Sequence, residues 1–180
     1  MFQTLKESGW GLLEAVVALA IMLVLLMMAI PGFHHLIERN RASSVINGLT
    51  QAIYFSRNEA IKQGQSIQFC GSGNGRECDG QWSKGQLVVA GNDHQVLRQL
   101  PSMPAGYSLI WRSNLGQNTA LTFVATGFTA GQNGSFYYCP ANHSAYDLSQ
   151  FGAIIVVSDS GRLRVDHDQD NLTEVCQTVT

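Results

Sequence analysis

Residues 9–30 read GWGLLEAVVALAIMLVLLMMAI, and this stretch decides how the rest of the chain is organised. From Leu12 to Ile30 the nineteen positions are apolar apart from Glu14. At ~1.5 Å per residue they make a helix of roughly 28 Å, close to the hydrocarbon thickness of a bilayer. The sequence therefore predicts one membrane-spanning helix near the start of the chain.

The flanks of this run differ from those of a secretory signal peptide. Such a peptide has a shorter apolar core and a cleavage site of small residues beyond it, whereas here Pro31 follows and the short polar leader, residues 1–9, comes first. A carboxylate inside the run is costly, by up to ~2.5–3.5 kcal/mol at the bilayer centre. Glu14 therefore either lies at the membrane interface or has a functional partner.

An amphipathic half of the same helix is predicted after the apolar run. Between Leu36 and Ile61 apolar residues recur largely at spacings of three and four, mixed with charged ones. Pro31 lacks a backbone donor and is expected to kink the helix or open it locally. Gly64 is the predicted C-cap, so the helix should have two halves, residues 10–31 and 32–64.

Beyond Gly64, short β-branched or aromatic runs alternate with turns, as in an antiparallel sheet. Residues 154–165, IIVVSDSGRLRV, predict a hairpin with its turn at Asp159 to Gly161. The predicted fold class is α+β, with a long N-terminal helix packed on an antiparallel β-sheet domain. The eight predicted strands are Ser66–Cys70, Gln86–Ala90, Gln95–Leu100, Tyr107–Trp111, Thr119–Val124, Ser135–Cys139, Ala153–Ser158 and Arg162–Val165.

Four cysteines, an even number in a chain predicted to leave the cytoplasm, indicate two disulfides rather than a metal site or free thiols. No Cys-x-x-Cys occurs and the histidines are scattered, which does not fit zinc. Of the three pairings, the sequence favours Cys70 with Cys78, across a short glycine-rich loop, and Cys139 with Cys176.

Composition and motifs exclude several function classes. The 180-residue chain is 13% charged with a net charge of −2, so it has no global basic field for nucleic acid. No nucleophile constellation is recognisable, and we predict no catalytic residue, cofactor or metal. An acidic run lacks the turn glycine and the closing glutamate of a calcium loop, so we interpret it as a solvated loop. It comprises Asp166, Asp168, Asp170 and Glu174.

Residues 9–14, GWGLLE, and the apolar tail resemble the class III signal of type IV prepilins and pseudopilins. The resemblance implies cleavage after Gly9 by prepilin peptidase and N-methylation of the new terminus at Trp10, where the family usually has Phe. It also implies that Glu14 meets the terminal amine of a neighbouring subunit, since two buried opposite charges lose less free energy together than apart. Pilin helices commonly have a proline at the place of Pro31.

Further along, the chain resembles the FimT/FimU-like minor pilins, which share the GspH domain with a minor pseudopilin of type II secretion. The resemblance implies a leader (1–9), a transmembrane or filament-core helix half (10–31), an amphipathic half (32–64) and a GspH-like β domain (65–180). It implies a single-pass inner-membrane protein with a periplasmic domain that can enter an extracellular pilus. Its implied partners are the membrane, prepilin peptidase, and other minor and major pilins. The features that carry the resemblance are residues 57–62, Phe69-Cys70, Cys78, residues 82–89, Phe123 with Gly127, residues 136–139 and residues 160–165.

The Gly161-Arg162-Leu163-Arg164 segment suggests an additional role. Alternation on a strand places Arg162 and Arg164 on one face, from which both guanidiniums can grip phosphates. Some FimT-type pilins bind DNA in natural transformation through a Gly-Arg-x-Arg motif, so the resemblance implies double-stranded DNA as a candidate partner.

The competing interpretation is that both arginines stay solvated or pair with nearby aspartates, Asp159, Asp166 and Asp168, which lower the local potential. The main functional prediction is a minor pilin that primes or caps a type IV pilus. A DNA-uptake pilin is one alternative, and a minor pseudopilin of type II secretion is another.

Overall fold

The computed structural model describes residues 11–91, 94–116, 119–140, 144–166 and 168–178. Two compact units are present, Met1–Asn40 and Arg41–Thr180. A single helix, α1 (Leu12–Gln63), belongs to both. The predicted cleavage and methylation site, Gly9 and Trp10, lies outside the described residues.

In the first unit, the large apolar side chains of α1 from Leu12 to Met27 are exposed on every side of the helix. Backbone positions remain helical through Pro31, so the local opening predicted there is not observed. One missing donor removes a single hydrogen bond, and the flanking turns maintain the ladder. Within the described part of the chain, no helix is both long and apolar enough to cross a membrane, so the span predicted over residues 10–31 is not confirmed.

In the second unit, α1 buries one face against the β domain. Leu49, Ala52, Ile53 and Ala60 are almost fully buried and recur at helical spacing, as the amphipathic pattern predicted. The helix ends at Gln63, and the next residue, the predicted C-cap glycine, has a φ of 64°.

Two four-stranded antiparallel sheets make up the β domain as far as it is described. Sheet A has the order β3-β2-β1-β5 and sheet B the order β4-β6-β7-β8. All eight predicted strands are present, with ends within two residues of those expected. Their bounds are β1 Ile67–Gly71, β2 Gln86–Ala90, β3 Val96–Leu100, β4 Ser108–Ser113, β5 Ala120–Phe123, β6 Gly134–Cys139, β7 Ala153–Val157 and β8 Leu163–Asp166.

The main core lies between the sheets and the second part of α1, and aromatic rings fill its centre. The ring of Phe136 lies 4.3 Å from that of Trp111 and 5.0 Å from that of Trp82, measured between centroids. Ile155 and Val157 of β7 and Leu163 of β8 belong to the same cluster. Because side chains alternate along a strand, residues at 156 and 164 lie on the opposite face of sheet B.

Two short helices, α2 (Ala145–Phe151) and α3 (Gln169–Gln177), were not predicted. The interpretation of the acidic run as a solvated loop is wrong, because Asp168 is the N-cap of α3 and accepts a hydrogen bond from the backbone N–H of Asp170. Aspartate is favoured at this position since it satisfies a free helical donor and complements the helix dipole. The apolar face of α3 packs on the outer face of sheet B.

Disulfides join Cys70 to Cys78 and Cys139 to Cys176, the pairing that the sequence favoured. The first closes the loop that follows β1. The second ties α3 to the end of β6, so a helix too short to be stable alone is held on the sheet.

Candidate functional site

The carboxylate of Glu14 lies at the start of α1 and has a partner in its own chain. Its Oε2 accepts a hydrogen bond of 3.0 Å from the backbone N–H of Gly11, the residue before the helix. A glutamate that reaches back three residues in this way forms half of a capping box. The described residues therefore show Glu14 as a helix-capping group, and its role in assembly stays a prediction.

The Gly-Arg-x-Arg segment lies at the turn between β7 and β8, where the sequence predicted a hairpin. The backbone N–H of Ser158 donates to the carbonyl oxygen of Arg162 at 3.0 Å, and that of Gly161 donates to Ser158 at 2.8 Å. Gly161 has a φ of 72° and is buried, whereas Arg162 and Arg164 are exposed. The two arginines thus reach solvent from a turn that the glycine closes.

Gly161 is required by close packing. A Cβ atom at this position would lie 2.5 Å from the carbonyl oxygen of Gly127 and 2.9 Å from Nε of Arg57. That same Nε donates a hydrogen bond of 2.9 Å to the Gly127 carbonyl. The hairpin turn therefore packs on the β5–β6 loop and on the second part of α1, and only glycine fits there.

Only one of the three nearby aspartates pairs with the motif. Arg164 Nη2 lies 2.9 Å from Asp166 Oδ2, an exposed pair of a kind that contributes little to stability. Asp159 faces the β5–β6 loop, where its Oδ1 accepts a hydrogen bond of 3.1 Å from the hydroxyl of Thr129. Asp168 caps α3, and a hydrogen bond from the Asn171 side chain is the largest cause that lowers its pKa below the ordinary value.

A third arginine, which the sequence reasoning missed, shares a row with Arg164. The strand register pairs Arg112 with Ser135, Ser135 with Val156, and Val156 with Arg164. Directly opposed residues point to the same face of a sheet, here the face away from the main core. No local signal marks Arg112, because only the pairing of four strands brings it into this row.

We call the exposed side chains of Arg112, Arg162 and Arg164 the arginine face. Nη2 of Arg112 donates to the hydroxyl of Thr178, the C-cap of α3, at 3.0 Å. A groove of about 490 Å³ lies beside the other two arginines, lined by Val156, Ser158, Arg162, Leu163 and Arg164. Cationic side chains therefore stand at both ends of the row.

The short helices α2 and α3 pack on another part of the outer face of sheet B. A small apolar cluster joins these helices to the sheet, and it contains Cys139, Ile154, Leu148 and Leu172. The neighbouring row carries two arginines, a serine and a valine, of which Val156 packs against this cluster, and it contains no acidic residue. Among the described residues no group of three His, Cys, Asp or Glu side chains is placed to hold a metal ion. The site is thus suited to binding anions rather than to catalysis.

Comparisons with known proteins identify the family of this chain. The family model described as type II transport protein GspH matches residues 45–165, more than half of the chain. No curated protein sequence matches the chain.

Solved structures of two kinds of pilin-like protein share the fold. A crystal structure of the type IV minor pilin FimU of Pseudomonas aeruginosa has a TM-score of 0.55 and 21% identity, and the alignment covers 72% of this chain and 90% of FimU. The minor pseudopilin EpsH of the type 2 secretion system of Vibrio cholerae has a TM-score of 0.51 and 12% identity, and the alignment covers 70% of this chain and 96% of EpsH. Because the matching family consists of structural pilins and pseudopilins, the prediction of a non-enzymatic protein is confirmed, and this chain belongs to the GspH family.

Proposed function

We propose that this chain is a minor pilin that assembles with other minor and major pilins to prime or cap a type IV pilus. The observation that carries the proposal is the combination of a GspH domain with a helix whose first part exposes apolar side chains on all sides. Such a surface is unstable in water, since burying one Leu, Ile or Met side chain gains about 1.5–3 kcal/mol. Lipid covers these apolar side chains before assembly, and the helices of neighbouring subunits cover them afterwards.

The same surface supports anchoring in the inner membrane, with the β domain in the periplasm. Prepilin peptidase then removes residues 1–9, and the amino group of Trp10 is methylated. Among the described residues, the hydrogen-bond donor to Glu14 is a backbone N–H of its own chain. An ammonium group from a neighbouring subunit is a stronger partner for a carboxylate in an apolar setting, because opposite charges in low dielectric attract strongly. Assembly thereby stabilises a group that is costly in lipid.

Subunits of a pilus and of a secretion pseudopilus need the same kind of N-terminal helix, and the fold of this chain resembles that of a minor pilin and that of a minor pseudopilin. We favour the pilus because the cysteines, which form two disulfides here, resemble those of the pilus branch of the family rather than the secretion branch. Deletion of the gene, with piliation, twitching and protein secretion measured separately, tests the choice. Loss of pili and twitching with normal secretion is expected. Normal pili with blocked secretion would instead identify a pseudopilin.

The arginine face supports a second candidate function, capture of extracellular DNA for uptake. Arg162 and Arg164 are exposed side by side, and two of the three aspartates that weakened this interpretation are engaged elsewhere. A gel shift at low salt with wild type and the Arg162→Ala, Arg164→Ala double variant tests it. Binding that the double variant loses is expected. Equal binding by both proteins rejects the Gly-Arg-x-Arg segment as the binding site, and no binding by wild type rejects the function itself.

A further inference from the structure

We propose that bound DNA lies across the strands of sheet B, from Arg162 and Arg164 at the β8 edge to Arg112 on β4, and that Arg112 is a third phosphate contact. The inference rests on the second candidate function and extends it to a residue outside the Gly-Arg-x-Arg segment. It follows from the row Arg112, Ser135, Val156 and Arg164, which the register of three strand pairs defines.

The dimensions of the row suit a duplex. Strands lie about 4.8 Å apart, so the three steps from β8 to β4 separate the backbones of Arg164 and Arg112 by about 14 Å. Duplex DNA carries one negative charge per ~1.7 Å of axis, so roughly eight phosphates lie within that length. Two arginine side chains at the ends of the row, with Arg162 beside one of them, can therefore each meet a different phosphate.

The middle of the row carries no charged side chain. Ser135 and Val156 are half-buried between the arginines, and Ser158 lines the groove that continues from them. A serine hydroxyl donates hydrogen bonds to phosphate oxygens, and a valine side chain packs against sugar. The row itself contains no acidic residue, but the carboxylate of Asp166 lies 2.9 Å from Nη2 of Arg164 on the same face, so a phosphate must compete with it for that guanidinium.

A purely structural role for Arg112 is the competing interpretation, since its Nη2 bonds to Thr178 at the end of α3. A guanidinium has five N–H donors, and this contact uses one. The exposed remainder is available to a ligand. The two roles are separable, because removal of the Thr178 hydroxyl abolishes the internal contact and leaves the charge in place.

The test measures binding of a labelled 20-base-pair duplex by the full chain in detergent, by fluorescence anisotropy over a series of salt concentrations. The variants are Arg112→Gln, Thr178→Val and the matched control Arg76→Gln, which removes one exposed charge from the β1–β2 loop. Each phosphate contact contributes about 0.9 to the slope of log affinity against log salt. Arg112→Gln is therefore expected to lower that slope by about one and the affinity at 0.1 M salt by about eightfold. Arg76→Gln and Thr178→Val should bind as wild type.

Three results overturn the proposal, and they are distinguishable. If Arg112→Gln keeps the wild-type slope while Arg162→Gln, Arg164→Gln loses binding, DNA contacts the hairpin alone and the second candidate function survives. If Thr178→Val weakens binding as much as Arg112→Gln does, Arg112 acts only by holding α3. If wild type binds no duplex at low salt, the second candidate function fails together with this inference.

Discussion

The substitution Gly161→Ala separates the structural glycine of the hairpin from the arginines beside it. Alanine must adopt a φ near 72°, and a left-handed conformation costs a non-glycine residue about 1–2 kcal/mol. Its Cβ would also lie 2.5 Å from the carbonyl oxygen of Gly127, which belongs to the backbone and cannot rotate away. Overpacking of this kind costs about 1–3 kcal/mol. We therefore expect the free energy of unfolding to fall by about 2–5 kcal/mol.

Gly131→Ala is the matched control, because Gly131 has a φ of 75° but a Cβ there would meet no atom within 4 Å. It should cost only the conformational term, about 1–2 kcal/mol. Urea unfolding of the full chain in detergent, followed by fluorescence of the buried Trp82 and Trp111, measures both variants. Equal losses in the two variants would refute the contact between the hairpin turn and the β5–β6 loop.

Three further predictions concern the helix, the disulfides and the first loop. Gly48→Ala should raise the free energy of unfolding by about 0.5–1 kcal/mol, because alanine favours the helix more than glycine does and its Cβ would meet no atom within 4 Å. A loss of stability in the same assay would contradict this. Replacing both cysteines of the Cys139–Cys176 disulfide by serine should lower the free energy of unfolding by about 4 kcal/mol, because that disulfide closes a loop of 37 residues. Replacing those of Cys70–Cys78, which closes a loop of 8, should lower it by about 2.5 kcal/mol. The reverse order in urea unfolding would refute the entropic reasoning. Backbone hydrogen bonds lower the pKa of Asp79, and the one from Gln81 has the largest effect. The carboxylate therefore stabilises the loop fully above about pH 3.9, and this stabilisation is lost as pH falls through the folded-state pKa. The protection factors of the loop amides, which correct for the intrinsic pH dependence of exchange, should therefore fall in acid in wild type but not in Asp79→Asn.

The sheet domain was predictable from the sequence because its strands carry their own signal. The run from Ile154 to Val157, a short turn with Gly161, and alternation after it define a hairpin without any tertiary information. The two short helices carry a weaker signal, an N-cap residue in each and, in α3, apolar residues at helical spacing. α3 is polar and acidic at its start, and its stability comes from packing on sheet B and from the Cys139–Cys176 disulfide, which are both long-range.

The arginine face was predictable only in part, for a related reason. Arg162 and Arg164 are neighbours in sequence, so alternation alone places them together. Arg112 joins them through the register of β4, β6, β7 and β8, which no local pattern specifies. The effect of the nearby aspartates on the arginines was misjudged for the same reason. Asp159 is close to them in sequence, but in the fold its carboxylate faces the β5–β6 loop.

The mass of the mature N-terminus tests the proposed pilin function most directly. Intact-protein mass spectrometry of the chain purified from its own cell envelope reads both the cleavage site and the modification. Removal of residues 1–9 and a methylated Trp10 at the new terminus are the expected result. A chain that still begins at Met1, or that is cut at a bond other than Gly9–Trp10, would contradict assembly as a type IV pilin.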